Sequence, residues 1–392
     1  MNKREKVVTF LKKISSKISF VPKGNEVVDN NLYRILFVAN SNIPTLQMYF
    51  LKPLNAYSKR DSCIYSLITE HDLKNAFGKK LRTEEAESFF IEKASQFLPS
   101  IIVFCRYSGP HANSLLQYAK KNNIPTIFYI DDDLLNVPLT LGPKKYEFHN
   151  HPLRLEALRC LLNGTDLVYC ANARLIDRLK DLGINNEFYA GAICGYGKVY
   201  NLPQIASPRK IGYMGFDHAH DFEIVLPAIV KILKEYPDVT FELFGAIPKP
   251  EILDQFDKRV NVISPIPDYE EFIKRFSGLG WGIAICPLVE TSFNAVKSNI
   301  KWIEYTSIGA AVIATKGTIY DDCCKDGCGL LANDEEWYNN IKLLLDNNDL
   351  RLSLVISAQE KLEAEYTENI LYSQIQKVFK TAAERAKREC IN

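Results

Sequence analysis

The sequence predicts an α/β protein of two domains, each a parallel sheet covered by helices on both faces, meeting across a cleft. Three observations carry that prediction. The chain has 392 residues, more than one hydrophobic core usually serves, so two domains are the default. Its strand candidates are short apolar runs separated by helical patterns, and strands apolar on both faces belong to parallel sheets sandwiched between helices. The alternation stops near 195–209, where GYGKVYNLPQIASPR gathers glycine and proline, and then restarts.

Composition narrows the function classes. Forty-eight basic against 47 acidic side chains give a net charge of +1, so no global field points to nucleic acid. No apolar run reaches the length of a membrane span, and the first residues, MNKREKVVTF, are too polar for a secretory signal. A cytoplasmic protein is expected. Most of the ten cysteines sit inside apolar strands, as small hydrophobes in a reducing compartment do. Cys323, Cys324 and Cys328 cluster in DDCCKDGCG, but no fourth ligand lies at finger spacing, so they read as loop cysteines rather than zinc ligands.

Residues 1–30 form a separate extension. Val7, Leu11, Ile14 and Ile18 recur at helical spacing among Lys6, Lys13 and Lys17. Such a basic amphipathic helix over residues 1–20 suits an anionic membrane surface, although the stripe equally suits packing on the protein body or a frayed tail. The first domain, 31–200, opens with the strand YRILFVAN (33–40), ending at Asn40. The strand CIYSLIT (63–69) is followed by an acidic, lysine-rich segment, 70–97, expected to be helical and exposed. SIIVFCRY (100–107) ends in Arg106, and TIFYI (126–130) ends in Asp131, Asp132 and Asp133. The helix 151–164, the strand 166–170 and the helix 173–183 complete this half. The second domain, 201–360, has strands at 210–216, 239–245, 261–267, 281–288, 310–315 and 328–334. The tail 335–388 reads as helical, with a final helix within 361–392.

The chemistry gathers at strand ends, where open parallel sheets bind ligands. Lys297, Lys301 and Glu304 are spaced four and then three residues apart, so a helix brings them to one side. Two ammonium groups and a carboxylate suit a ligand with phosphate at one end and hydroxyls at the other; the plainer reading is a solvated helix face. Gly212 and Gly215 flank the end of the first strand of the second domain and would let backbone approach a phosphate, as they would serve any strand-to-helix turn. Neither G-x-G-x-x-G nor G-x-x-x-x-G-K-[ST] is present, which argues against classical dinucleotide binding and P-loop NTPase activity. The Asp131–Asp133 triplet is suited to hold a cation, orient a sugar hydroxyl or act as a base, rather than to cap a helix before LLNVP. Arg106, on the neighbouring strand, is placed to pair with these acids, to bind phosphate or to lie exposed.

The runs PLVETSFNAVKSNIKWIEYTSIGAAVIAT, IGYMGFDHAHDFEIVLPAI, TIFYIDDDLLNVP and GLLANDEEW together resemble, in content and order, the group-1 (family 4) glycosyltransferases of the GT-B superfamily. They cover most of residues 33–340. The resemblance implies two Rossmann-like domains, a nucleotide-sugar donor held by the second, an acceptor on the first at Asn40, Arg106 and the aspartates, and a C-terminal helix in 361–392 that crosses back to the first domain. Glu304 matches the second glutamate of the family's E-x7-E pattern, expected at the donor ribose. Lys297 and Lys301 fall where basic residues approach the diphosphate, and Thr291, Ser292 and Asn299 are polar neighbours in that loop. His218 and Asp221 match an H-x-x-D after the strand glycine. Three departures stand out. Val296 occupies the place of the first glutamate, with Glu290 as a displaced substitute. The usual arginine and lysine are absent from GFDHAHDFE. Aspartates replace the histidine closing the fourth strand. The implied activity is transfer, with retention and without a cofactor or divalent metal, of a sugar to a glycan or lipid-linked acceptor, as in bacterial surface polysaccharide synthesis at the inner membrane. Lys301 would stabilise the leaving diphosphate, and an aspartate of the triplet would orient acceptor or sugar. A GT-B-like binding protein or scaffold without turnover and a nucleotide-sugar epimerase are the alternatives.

Overall fold

A computed structural model describes residues 33–61, 63–192, 198–215 and 219–389. The amphipathic extension 1–30 and His218 lie outside the described residues.

The first sheet comprises β1 (Tyr33–Ala39), β2 (Cys63–Thr69), β3 (Ile101–Cys105), β4 (Thr126–Ile130), β5 (Leu167–Cys170) and β6 (Phe188–Ala190), in the order β2-β1-β3-β4-β5-β6. The second comprises β7 (Ser207–Gly215), β8 (Thr240–Gly245), β9 (Val260–Ile263), β10 (Trp281–Cys286), β11 (Ala311–Thr315) and β12 (Leu330–Ala332), in the order β12-β11-β10-β7-β8-β9. All ten strand pairings are parallel. The largely apolar runs of β3, β4, β5 and β10 are buried on both faces, which explains why they do not alternate.

Gly212 serves the core. A Cβ there would meet the Trp281 ring at 1.9 Å, so glycine lets the β10 indole lie flat against β7. The segment 70–97 is helical, at Glu70–Phe77 and Glu84–Phe97, but not wholly exposed. Leu73, Ala86, Phe90 and Ala94 are buried against the first sheet, because the stripe beneath its charged face is apolar.

One apolar cluster runs from Ile35 and Phe50 in the first domain to Trp281 and Trp302 in the second. The final helix, Glu368–Glu389, supplies Leu371, Ile375, Val378 and Ala382 to it. This helix lies on the first domain. Tyr372 stacks on Tyr57 with ring centroids 4.5 Å apart, Gln374 bonds the Tyr169 hydroxyl, and Arg385 pairs with Glu187 at 2.7 Å. Among the described residues, no helix is long and apolar enough to cross a membrane.

Candidate active site

Every strand is parallel to its neighbours, so each sheet presents its carboxyl ends along one edge, and the two edges face each other. On the second domain the wall is the loop after β10 and the helix Ile300–Ser307. Asp221, fully buried on the helix Ala219–Glu235, holds the loop. Its carboxylate accepts from the Val289 amide at 2.8 Å and from Asn294 Nδ2 at 3.3 Å. Asn294 Nδ2 also reaches the Val289 carbonyl at 2.9 Å. Asp221 therefore shapes the loop from behind. Glu290, Thr291 and Ser292 are exposed on the loop's outer turn, with Thr291 Oγ1 accepting from the Asn294 amide at 3.0 Å. Asn299 Nδ2 donates to the Tyr366 hydroxyl at 3.2 Å.

Lys301 and Glu304 are buried side by side on the helix. Lys301 Nζ lies 4.8 Å above the Tyr213 ring. Burial lowers its pKa to about 8, against the pull of Cys286, Asp221 and Glu304, with Lys297 adding to the depression. Among the described residues no carboxylate lies within ion-pairing distance of this ammonium. Glu304 accepts from the Tyr269 hydroxyl at 2.9 Å. Burial raises its pKa to about 7, opposed by that hydrogen bond and by Lys301. Lys297 is half-buried, its ammonium 5.2 Å from the Phe293 ring. The Tyr305 hydroxyl accepts from the Met214 amide at 2.8 Å, tying this helix to the end of β7 beside Gly215.

The first-domain wall divides the aspartate triplet. Arg106 adopts a left-handed backbone conformation, φ 51°, at the end of β3, a strained geometry for arginine. Its guanidinium joins Asp131, and it reaches Asp132 at 2.9 Å. Asn40 fixes this corner, donating to the Arg106 carbonyl at 3.3 Å and accepting from the Ser108 amide at 3.2 Å. Thr45 Oγ1 donates to Asp131 at 3.3 Å. Burial pushes the Asp131 carboxyl up to about 6, against Arg106 and with help from Asp132. Asp133 faces the other way. It is fully buried and accepts from Arg178 Nε at 2.9 Å and from Asn136 Nδ2 at 3.0 and 3.1 Å. Its partners make it an anchor between β4 and the helix Ala173–Asp181 rather than a group presented to the cleft.

Two side chains join the site without a sequence signal. Tyr49 is buried on a π-helical turn, Gln47–Leu51, a form frequent at functional sites. Burial, then Asp131 and Glu304, raise its pKa well above the ordinary phenol value, so its hydroxyl stays protonated. His149 has a buried Nδ1 without a hydrogen-bond partner among the described residues. Burial and the nearby Arg106 and Arg154 lower its pKa to about 4, which leaves the imidazole neutral. At the edge of the cleft, a cavity of about 320 Å³ is lined from both domains by Gln47, Lys52, Asn55, Tyr65, Asp268 and Tyr269. Lys52 crosses to Glu270 at 3.4 Å.

Val296 does not line this cleft as a replaced acid would. It is buried, with Phe293, among first-domain side chains that include Leu175 and Ile176. Cys323, Cys324 and Cys328 are buried free thiols, and Trp302 Nε1 donates to the Cys328 carbonyl at 2.9 Å. Among the described residues no group of three or more His, Cys, Asp or Glu is arranged to hold a metal ion.

No protein-family model matches the chain, and no curated protein matches it in sequence. Solved structures do match. HepE of Anabaena, in complex with UDP and glucose, superposes with a TM-score of 0.60 at 14% identity, over 88% of this chain and 99% of that one. A UDP-forming α,α-trehalose-phosphate synthase of Burkholderia xenovorans gives 0.59 at 10% identity, over 90% and 100%. Sucrose-phosphate synthase of Thermosynechococcus elongatus gives 0.60 at 12% identity, over 89% and 98%. At such identities the likeness establishes the fold: two Rossmann-like domains in the GT-B arrangement, as the sequence predicts.

Proposed function

We propose that the protein is a glycosyltransferase that takes a sugar from a nucleotide-sugar donor, transfers it with retention, and passes it to a glycan or lipid-linked saccharide in bacterial surface polysaccharide synthesis. The observation that carries this reading is Lys301, an ammonium buried at the cleft with no carboxylate within ion-pairing distance among the described residues. An unpaired buried charge is costly unless a ligand supplies its counter-charge. In this reading a nucleoside diphosphate supplies it, and Glu304, three residues on, accepts from ribose hydroxyls. The GT-B neighbours that hold UDP support the same ligand class.

In this reading Lys301 and Lys297 offset charge on the departing diphosphate, whose own oxygen takes the acceptor proton on the same face, with no divalent metal required. Asp131 and Asp132, oriented by Arg106, are the groups for acceptor or sugar hydroxyls. The protein acts in the cytoplasm, at the inner membrane surface where a lipid-linked acceptor would lie. A catalytically silent sugar-nucleotide-binding protein is the second reading, favoured by the apolar packing of Val296. A thermal-shift screen of UDP-, GDP-, ADP- and CMP-sugars tests the donor site, because a ligand that binds only the native state raises its apparent stability. A shift lost in Lys301→Ala and Glu304→Ala supports the donor site. No shift with any nucleotide sugar would sink it, and donor binding without release of sugar to any acceptor would favour the silent reading.

A further inference from the structure

The lysine-bearing loop belongs to the second domain by sequence and sheet, yet its far side is built by the first. Asn172, just after β5, uses both ends of its amide. Its Oδ1 accepts from the Leu175 amide at 2.9 Å, capping the helix Ala173–Asp181. Its Nδ2 donates to the Val296 carbonyl at 3.0 Å and to the Lys297 carbonyl at 3.2 Å, 124 and 125 residues away. Phe293 is 6% and Val296 4% exposed, both packed with Leu175 and Ile176 of the first domain. The loop is thus clamped by Asp221 from its own domain and by Asn172 from the other.

We infer that Asn172 is a positioning residue that latches the lysine loop to the first domain, with Val296 as the apolar plug of the latch. Lys297 and the start of the helix carrying Lys301 then take their places only when the domains are closed on each other. Valine at position 296 follows directly. A carboxylate there would be buried among leucine and isoleucine side chains with its own backbone carbonyl already engaged, so the latch and an acidic residue exclude each other. The latch itself stands on the interdomain contact alone; its link to donor binding rests on the function proposed above.

Asn172→Asp separates the two jobs of this side chain. Aspartate caps a helix as well as asparagine does, but it cannot donate to the two carbonyls. Hydrogen exchange of the full-length protein is the primary measurement. In Asn172→Asp, amides of 293–299 are expected to exchange about tenfold faster, the equilibrium weight of about one net hydrogen bond, while protection of 173–181 is retained. Asn172→Ala, which loses both functions, is expected to raise exchange in both segments. Unchanged exchange over 293–299 in Asn172→Asp overturns the latch. Titration with UDP of the wild type and of the same variant tests the link, with about tenfold weaker binding expected in the variant. Equal affinity in the two proteins removes the link. Failure of the wild type to bind UDP counts against the donor-site reading alone and leaves the exchange result in force.

Discussion

Lys301 and Glu304 sit three residues apart on one helix, and burial moves each toward neutrality from opposite sides. For Glu304 the native state keeps its proton up to about pH 7, above the ordinary carboxylate value. The native state then binds more protons than the unfolded chain, so stability falls as pH rises from the ordinary carboxylate range to about 7. Glu304→Gln keeps an oxygen for Tyr269 and removes that dependence; its Tm is expected to exceed the wild type's at pH 8 and to equal it at pH 4, by differential scanning calorimetry. For Lys301 the sign is reversed. The penalty is complete below about pH 8 and is relieved as pH rises toward the unfolded value. Lys301→Met is expected to stabilise the ligand-free protein at pH 7, by up to about 3 kcal/mol, and to abolish nucleotide-induced shifts. A loss of stability in Lys301→Met would show that the ammonium is compensated without ligand. The aspartates are expected to separate as well. Asp133→Asn, which strips Arg178 of its buried partner, should cost about 3 kcal/mol by urea denaturation, and Asp132→Asn, at the half-exposed end, should lower turnover with little change in stability. Spacing made the Lys301–Glu304 pair legible in the sequence. The different fate of Asp133 was not, because its partner is 45 residues away.

At the scale of elements, legibility followed burial. β3 and β10 are apolar throughout, and β4 beyond Thr126, because they are covered on both faces, and that pattern is visible in one dimension. β6 is three residues long and partly exposed, so it has no run to detect. The π-helical turn at Gln47–Leu51 and the docking of Val296 on the helix Ala173–Asp181 are equally silent, since each depends on a partner far along the chain. The flat packing of Trp281 on Gly212 gives an element-level test. Gly212→Ala must displace either the indole or β7 and is expected to fold poorly or to unfold at much lower urea, with a lost near-ultraviolet signal from Trp281. Normal stability in that variant would mean that β10 has room to move.

For the whole molecule, the division into two sheets was legible from the restart after residue 209, and the return of the last helix to the first domain from the family resemblance alone. What the pattern lacked was the destination of Leu371, Ile375 and Val378, which finish a core shared by both domains. The order in which a ribosome delivers the chain then matters. The face of the first domain that receives Tyr372 and Gln374 is synthesised well before the helix that covers it, Tyr169 by 205 residues and Tyr57 by more. The first domain must therefore wait, with Tyr57 and Tyr169 uncovered, until the helix Glu368–Glu389 emerges. Its core is therefore closed only after the whole second domain has been synthesised.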